Sequence, residues 1–186
     1  MIAFPRIETA RLFLREPTEA DLAHMPGVLG DPEIYAYTRN IPYPYRDTDA
    51  VDALARYRRL AADGEALTLF PECRATGRMI GLVVLIVTDG DREGELGYAI
   101  GRDWWGKGYA TEAAGGLMDY GFASLGLDRI IAHAMVRNPG SARVLEKLGM
   151  RSTGVVEDLC IKDGKRFDAA GFAMPRPAWD AGRGGR

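Results

Sequence analysis

The densest chemistry in the chain lies in residues 101–113, Gly-Arg-Asp-Trp-Trp-Gly-Lys-Gly-Tyr-Ala-Thr-Glu-Ala, where glycines sit at the mouth of a strongly patterned helix. Gly101, Gly106 and Lys107 carry the spacing of a phosphate-binding P-loop, but the next position must offer magnesium a hydroxyl and is Gly108. Gly106, Gly108 and Thr111 fill part of a dinucleotide fingerprint, mid-chain and after strands already joined by turns. A third reading asks only what the residues do. A helix N-terminus presents unpaired N–H groups and a positive dipole end, and glycine at 106 and 108 lets a ligand approach the backbone. That is an anion cradle suited to a pyrophosphate, screened further by Lys107 and needing no metal. The alternative is a helix cap rich in glycine merely to clear Trp104 and Trp105. His24 and His133 lack partners at metal-ligand spacing and read as helix-surface and strand residues. Cys73 and Cys160, far apart and without CxxC spacing, give neither a disulfide framework nor a zinc knuckle.

With 24 basic and 26 acidic side chains in 186 residues, the net charge of −2 argues against a dedicated nucleic-acid or anionic-membrane binder. Any anion must be held by a local site. An apolar share of 47% is enough for one globular core at this length. The cysteine usage points to a reducing, cytoplasmic location. The start, MIAFPRIETARL, has no basic segment followed by a long apolar run, and no window approaches the roughly 18 apolar residues of a membrane span, so neither secretion nor spanning is expected.

The elements that must position the glycine loop follow from patterning. Residues 10–15 alternate as a strand stopped by Pro17, and Thr18 to Asp21 open a helix expected to end between Gly27 and Gly30. Asp31-Pro32 opens a helical turn, and residues 35–45, with Tyr35, Tyr37, Tyr43 and Tyr45 among prolines, read as an ordered loop. A helix over 47–63 ends at Gly64, with Val51, Leu54, Ala55, Arg58 and Ala62 near helical spacing. Strands are expected at 67–73 and 79–88, the second apolar on both faces and so central, then a turn at 89–91 and a strand at 95–100. From Gly108 to Ser124 the period becomes 3.6, with Ala110, Ala113, Ala114, Leu117, Met118, Gly121 and Phe122 on one face. A strand at 129–136, a helix from Asn138-Pro139 to Leu148, and a hairpin of strands 151–159 and 167–174 complete the order β-ααα-β-β-β-α-β-α-β-β. This is an α/β (α+β) domain over 1–174 with a mixed sheet, followed by a tail, 175–186, expected to fray. The strands flanking the 108–124 helix must run parallel, joined by a right-handed crossover.

WWGKGYATEA (104–113) followed by VRNPGSARVLEKLGM (136–150) resembles the acetyl-CoA-binding core of the GNAT N-acetyltransferase superfamily. RLFLREPTEAD (11–21), IGLVVL (80–85) and ELGYAIG (95–101) are similar to the branch containing the ribosomal-protein alanine acetyltransferases. The resemblance covers essentially residues 7–174 and implies a mostly antiparallel central sheet whose parallel pair splays apart. Two positions depart from the superfamily pattern: Trp105 stands where Gln or Arg commonly opens the loop motif, and Leu145 where many members carry a tyrosine acid.

The resemblance implies N-acetyl transfer from acetyl-CoA to a primary amine, by direct attack in a ternary complex without a metal. A protonated amine cannot attack a thioester, so a proton must leave. The family's acid on the strand before the glycine loop matches Glu95, with Glu93 on the same face if the strand reaches it; a solvated edge carboxylate is the alternative. A backbone N–H at Tyr98, Ala99 or Ile100 can meet the oxyanion. Ser141 is the branch's candidate to protonate the thiolate, against a plain helix-start hydroxyl or an unassisted departure. The implied CoA contacts are Trp105, Gly106, Lys107, Gly108, Tyr109, Ala110 and Thr111, with Asn138 on the pantetheine arm and Arg143 on the nucleotide phosphates or solvated. The acceptor is a protein N-terminus or a small amine; the tyrosines of 35–45 pack the loop or meet a cation, and Asp31, Glu33, Asp47 and Asp49 favour a cationic acceptor. A non-catalytic CoA-binding sensor is the rival reading, motivated by Leu145 and Trp105. No nucleic acid or membrane partner is expected, and the chain is a monomer or, through exposed strand edges, a homodimer.

Overall fold

A computed structural model describes residues 1–88 and 92–183, so the turn expected at 89–91 lies outside the described residues. Two short strands, β1 (Ile7–Glu8) and β2 (Leu12–Arg15), lead into helices α1 (Met25–Leu29), α2 (Pro32–Tyr37) and α3 (Asp47–Asp63). Strands β3 (Ala66–Cys73), β4 (Arg78–Met79), β5 (Gly81–Thr88) and β6 (Glu93–Ile100) precede α4 (Tyr109–Ala123). Then come β7 (Arg129–Met135), α5 (Pro139–Lys147), β8 (Arg151–Lys162), β9 (Lys165–Pro175) and α6 (Arg176–Arg183). The sheet runs β1-β2-β3-β5-β6-β7-β9-β8 and is antiparallel except at β6·β7. The mostly antiparallel sheet with one parallel pair and the central place of β5 are those expected, although the strand expected at 79–88 is interrupted at Ile80, leaving β4 paired to β3.

The helix expected from Thr18 to 27–30 is divided. Residues Glu19–Asp21 form a 3-10 turn closed by Thr18 and Asp21, and α1 begins afresh with Pro26 in its first turn. A proline has no N–H for an interior helical bond and clashes with the carbonyl of the preceding turn, so Pro26 cannot continue the earlier helix. In α3 the bounds match, but the buried face is Ala50, Ala53, Leu54, Tyr57 and Ala61, while Val51 points outward and is 53% exposed.

Helix α4 buries the face that its period dictates: Ala113, Ala114, Leu117, Met118, Gly121 and Phe122. It lies close on the sheet at Gly121, where an added Cβ would stand 2.8 Å from Leu85 and 3.1 Å from Ile130. The opposite face of β3, β5 and β6 is covered by α1–α3 through Met25, Leu29, Ile34, Ala53, Tyr57, Phe70, Leu82 and Ala99. Helices on both faces clamp the sheet, leaving the junction of β6 and β7 as the place where it opens.

The tail departs from expectation. Residues 176–183 form α6, whose Trp179 stacks on Phe122 at 4.9 Å and donates its indole N–H to Asp119 at 2.7 Å. Arg176 donates to the carbonyl of Phe122 in the last turn of α4 and to that of Leu127 beyond it. The sequence signal was masked by Pro, Gly and Arg, which are turn formers and solvated residues unless a distant core offers them a partner. Trp179→Ala should therefore cost about 2 kcal/mol from lost aromatic contact and area, lowering Tm by about 4–8 °C at this chain length; a frayed tail would leave Tm unchanged.

Candidate active site

Strands β6 and β7 pair in parallel only at Glu93↔Arg129, Gly94↔Ile130 and Glu95↔Ile131. Beyond that point β6 stays on β5 to Ile100, and β7 stays on β9 to Met135, so the two strands part. Backbone groups alternate sides along a strand. The Gly101 N–H donates to Ile80 O on the β5 side at 2.8 Å, so alternation turns the N–H groups of Tyr98 and Ile100 toward β7, into the gap. The Ala99 N–H points instead to β5. Of the stretch 98–100, Tyr98 and Ile100 are thus the residues whose N–H groups face the gap.

The glycine loop closes over one end of this gap. After the 3-10 turn Arg102–Trp104, Gly106 and Gly108 have φ of +72° and +82°, a left-handed conformation that side-chain-bearing residues resist. Gly108 is the N-cap of α4, so the helix mouth is left without a capping side chain. Trp105 turns its indole N–H onto Ile100 O at 2.5 Å, tying the loop to the strand end. Trp104 packs edge-on against Tyr109 at 5.4 Å.

Lys107 does not line the cleft. Its ammonium donates to Asp103 O at 2.8 Å. The cation at the helix mouth is Arg11, a residue that sequence reasoning missed: it donates to Lys107 O at 2.9 Å and stands 3.4 Å from where a Gly108 Cβ would sit. Arg11 and Thr9 also bind Glu112 in the first turn of α4, at 2.7 Å each. Burial works against the Glu112 carboxylate, yet the Thr9 and Arg11 hydrogen bonds hold it below its usual range. The acid that would repel a phosphate at this mouth is thereby neutralised.

A continuous cleft of about 540 Å³ joins the glycine loop, the gap and the far side of the sheet. Trp105, Gly106, Gly108, Tyr109, Ala110 and Thr111 line one end; Asn138, Ser141 and Arg143 come from α5 and the residue before it; Glu95 lines the other end. Asn138 caps α5, its Oδ1 accepting from the Ser141 N–H at 3.1 Å, so its Nδ2 is the group left for a ligand. Leu145 is 1% exposed and belongs to the core under the sheet. A phenol reaches the same region from the facing strand: the Tyr98 hydroxyl stands 2.9 Å from Ser141 Oγ and donates to Ser141 O at 3.0 Å. Burial pushes the Tyr98 phenol up to about 12, with the Ser141 bond pulling the other way.

At the far end Glu95 Oε1 accepts from Arg39 Nη2 at 2.8 Å and lies 3.1 Å from His133 Nδ1, while Oε2 has no hydrogen-bond partner among the described residues. Glu93 shares the face of Glu95, as expected, but is paired with Arg129 at 3.2 Å. The residues of 31–49 divide. Asp31 caps α2, Asp47 and Asp49 open α3, and only Glu33 of the four acids lines the cleft. Tyr35 stacks with Tyr43 and with Lys162, whose ammonium lies 3.5 Å from the Tyr35 ring and donates to Thr38 O at 2.7 Å. Burial lowers the Lys162 pKa. Arg137 lies 4.1 Å from the Phe167 ring and donates to Ala36 O. Tyr35 thus ties this stretch to the β8–β9 hairpin, Tyr45 packs against the cluster of α1–α3, and the cation over Tyr35 is the chain's own.

Residues 11–151 match the family described as Acetyltransferase (GNAT) domain. The chain is 33% identical over 168 residues to an uncharacterized N-acetyltransferase p20 of Bacillus licheniformis, covering 89% of this chain and 93% of that one. It is 35% identical over 88 residues to the [ribosomal protein uS5]-alanine N-acetyltransferase of Escherichia coli, covering 47% and 45%. The solved structure of Mycobacterium smegmatis RimJ in complex with CoA-disulfide superposes with a TM-score of 0.83 at 23% identity, covering 100% of this chain and 94% of that one. The open sheet, the splayed pair and the glycine-mouthed α4 are the framework of that fold, and the chain belongs to the GNAT family of acetyltransferases, as an N-acyltransferase of that type.

Proposed function

We propose that the chain transfers acetyl from acetyl-CoA to the primary amine of a protein N-terminus or small amine, by direct attack in a ternary complex. The observation that carries the reading is the single cleft running from the α4 mouth, through the β6/β7 gap, to Glu95. A pyrophosphate fits the glycine mouth, where the unpaired N–H groups of the first turn of α4 offer partial positive charge, Arg11 cancels the charge of Glu112 and no Cβ intrudes. The pantetheine arm fits the gap, whose unpaired N–H groups need an acceptor. The thioester carbonyl then falls against Tyr98 or Ile100 N–H, donors fixed before any charge develops. The amine enters from the opposite face, where the free Oε2 of Glu95 receives it.

Departure of the sulfur is a matter of hydrogen bonding more than of proton transfer. A thiol titrates near 8.5, well below the Tyr98 phenol at about 12, so full transfer from Tyr98 through Ser141 to the thiolate runs uphill. A hydrogen bond from Ser141 Oγ–H to the developing thiolate stabilises it without that cost, and solvent supplies the proton. A homologue of named substrate supports a protein N-terminus, since the relative from Escherichia coli is an alanine N-acetyltransferase of a ribosomal protein.

The test mixes the protein with acetyl-CoA and a panel of N-terminal peptides, polyamines and small amines, and reads free thiol. Release with at least one acceptor is expected; tight CoA binding with no release for any would favour the sensor reading instead. Glu95→Gln should lower turnover most at neutral pH and recover partly as the amine deprotonates itself; equal loss at every pH would remove a role in proton removal. Ser141→Ala should lower kcat about 10-fold, the worth of one hydrogen bond to a charged group, with KM for acetyl-CoA unchanged; a loss above 1000-fold would make it an obligatory acid. Gly108→Val should raise the CoA Kd about 10-fold or more in calorimetric titration, because the side chain meets Arg11 and the left-handed backbone resists a branched residue; unchanged Kd would discard the cradle.

A further inference from the structure

His133, which the sequence presents as an ordinary strand residue, stands in the acceptor half of the cleft. It lies two residues beyond Ile131, the partner of Glu95, on the same face of the sheet. Its Nδ1 is 3.1 Å from Glu95 Oε1, and its side chain is 20% exposed. A carboxylate only accepts, so Nδ1 carries the hydrogen, and in the neutral ring Nε2 holds the lone pair. Nε2 has no hydrogen-bond partner among the described residues.

We propose that His133 Nε2 takes the proton from the acceptor's ammonium, and that Glu95 orients the ring, stabilises the imidazolium and holds the amine at Oε2. The inference rests on the acetyl-transfer reading and adds the identity of its base. The chemistry favours imidazole: an ordinary carboxylate titrates about six units below an alkyl amine, an ordinary imidazole about four, and a general base works best when matched to the operating pH. The carboxylate behind an imidazole, fixing tautomer and orientation, is the logic of a catalytic dyad.

The step balances. R–NH3⁺ gives one proton to Nε2, and His133 later returns it to solvent. The freed nitrogen lone pair forms the N–C bond while the carbonyl electrons move to oxygen. When the oxyanion collapses, the C–S bond breaks and sulfur leaves with its electron pair; the second N–H proton lost in forming the amide balances the one the thiolate gains. The ionisable groups facing the pair are Arg39 after α2, which donates to Glu95, and Cys160 of β8, which feels the charges of Arg39, Glu95 and Arg137.

The experiment follows thiol release against pH, from about 5.5 to 9.5, for wild type and His133→Asn with an acceptor found active in the panel. Asn keeps a donor to Glu95 and cannot take the proton. His133→Asn should be about 100-fold slower near pH 7, lose the acid limb of the wild-type profile, approach wild type as the amine deprotonates, and keep KM for acetyl-CoA. A variant with the wild-type pH profile and a rate within about threefold, while Glu95→Gln is impaired, would overturn the dyad and leave the carboxylate acting alone. Absence of thiol release from the wild type overturns the acetyl-transfer reading and the dyad together. Should His133→Asn fail to fold, nitrogen NMR of the wild-type ring decides: the neutral Nδ1–H tautomer supports the dyad, and the Nε2–H tautomer contradicts it.

Discussion

The site depends on the parting of two parallel strands after Glu95↔Ile131. Each strand keeps its outer neighbour, β5 or β9, over its full length, so the opening costs no more than the inner ladder bonds of Tyr98, Ile100 and the end of β7. Backbone N–H groups left unpaired in a protein interior are costly. Here that cost is localised where a ligand can offset it. Helices on both faces keep the two halves from closing: α4 packs across β5 and β6 with Gly121 against Leu85, and α1–α3 cover the other side. A rigid gap with unsatisfied donors is a preorganised environment for a developing oxyanion.

Charge is arranged locally and scarcely registers in the total of −2. At the α4 mouth the acid in the first turn is consumed by Thr9 and Arg11, so the helix end faces the cleft as a site for anions. At the other end Glu95 is held by Arg39 and His133 through a single oxygen, leaving its second oxygen toward the cleft. In the proposed reaction the thioester comes from the helix-mouth side and the amine from the carboxylate side, so opposite local fields would sort the two substrates across one sheet.

Much of this was legible in residues close in the chain. The α4 period, the Gly64 stop of α3, the hairpin around Gly164 and the paired loop motifs all rest on local spacing, and all appear in the structure. What escaped is long-range. Arg11 reaches the loop across 96 residues, Arg39 reaches Glu95 across 56, and His133 meets Glu95 across 38. No periodicity announces such contacts. The ARLFLR stretch was read as a strand, and only its docking on α4 makes Arg11 part of the mouth. Lys107 drew attention by adjacency and yet points elsewhere. Leu145 signalled a missing phenol, but only the register of β6 against α5 shows Tyr98 bringing one to Ser141. The α6 helix failed to show because its composition is that of a tail until Phe122 supplies a surface.

The proposed seat of the thioester is the gap between β6 and β7. Residue-resolved amide hydrogen exchange, with and without acetyl-CoA, tests this directly. The Tyr98 and Ile100 N–H groups should exchange readily in the free protein and become strongly protected on binding, while Ala99, already turned to β5, changes little. Protection confined to other segments, with Tyr98 and Ile100 unaltered at saturating acetyl-CoA, would contradict it.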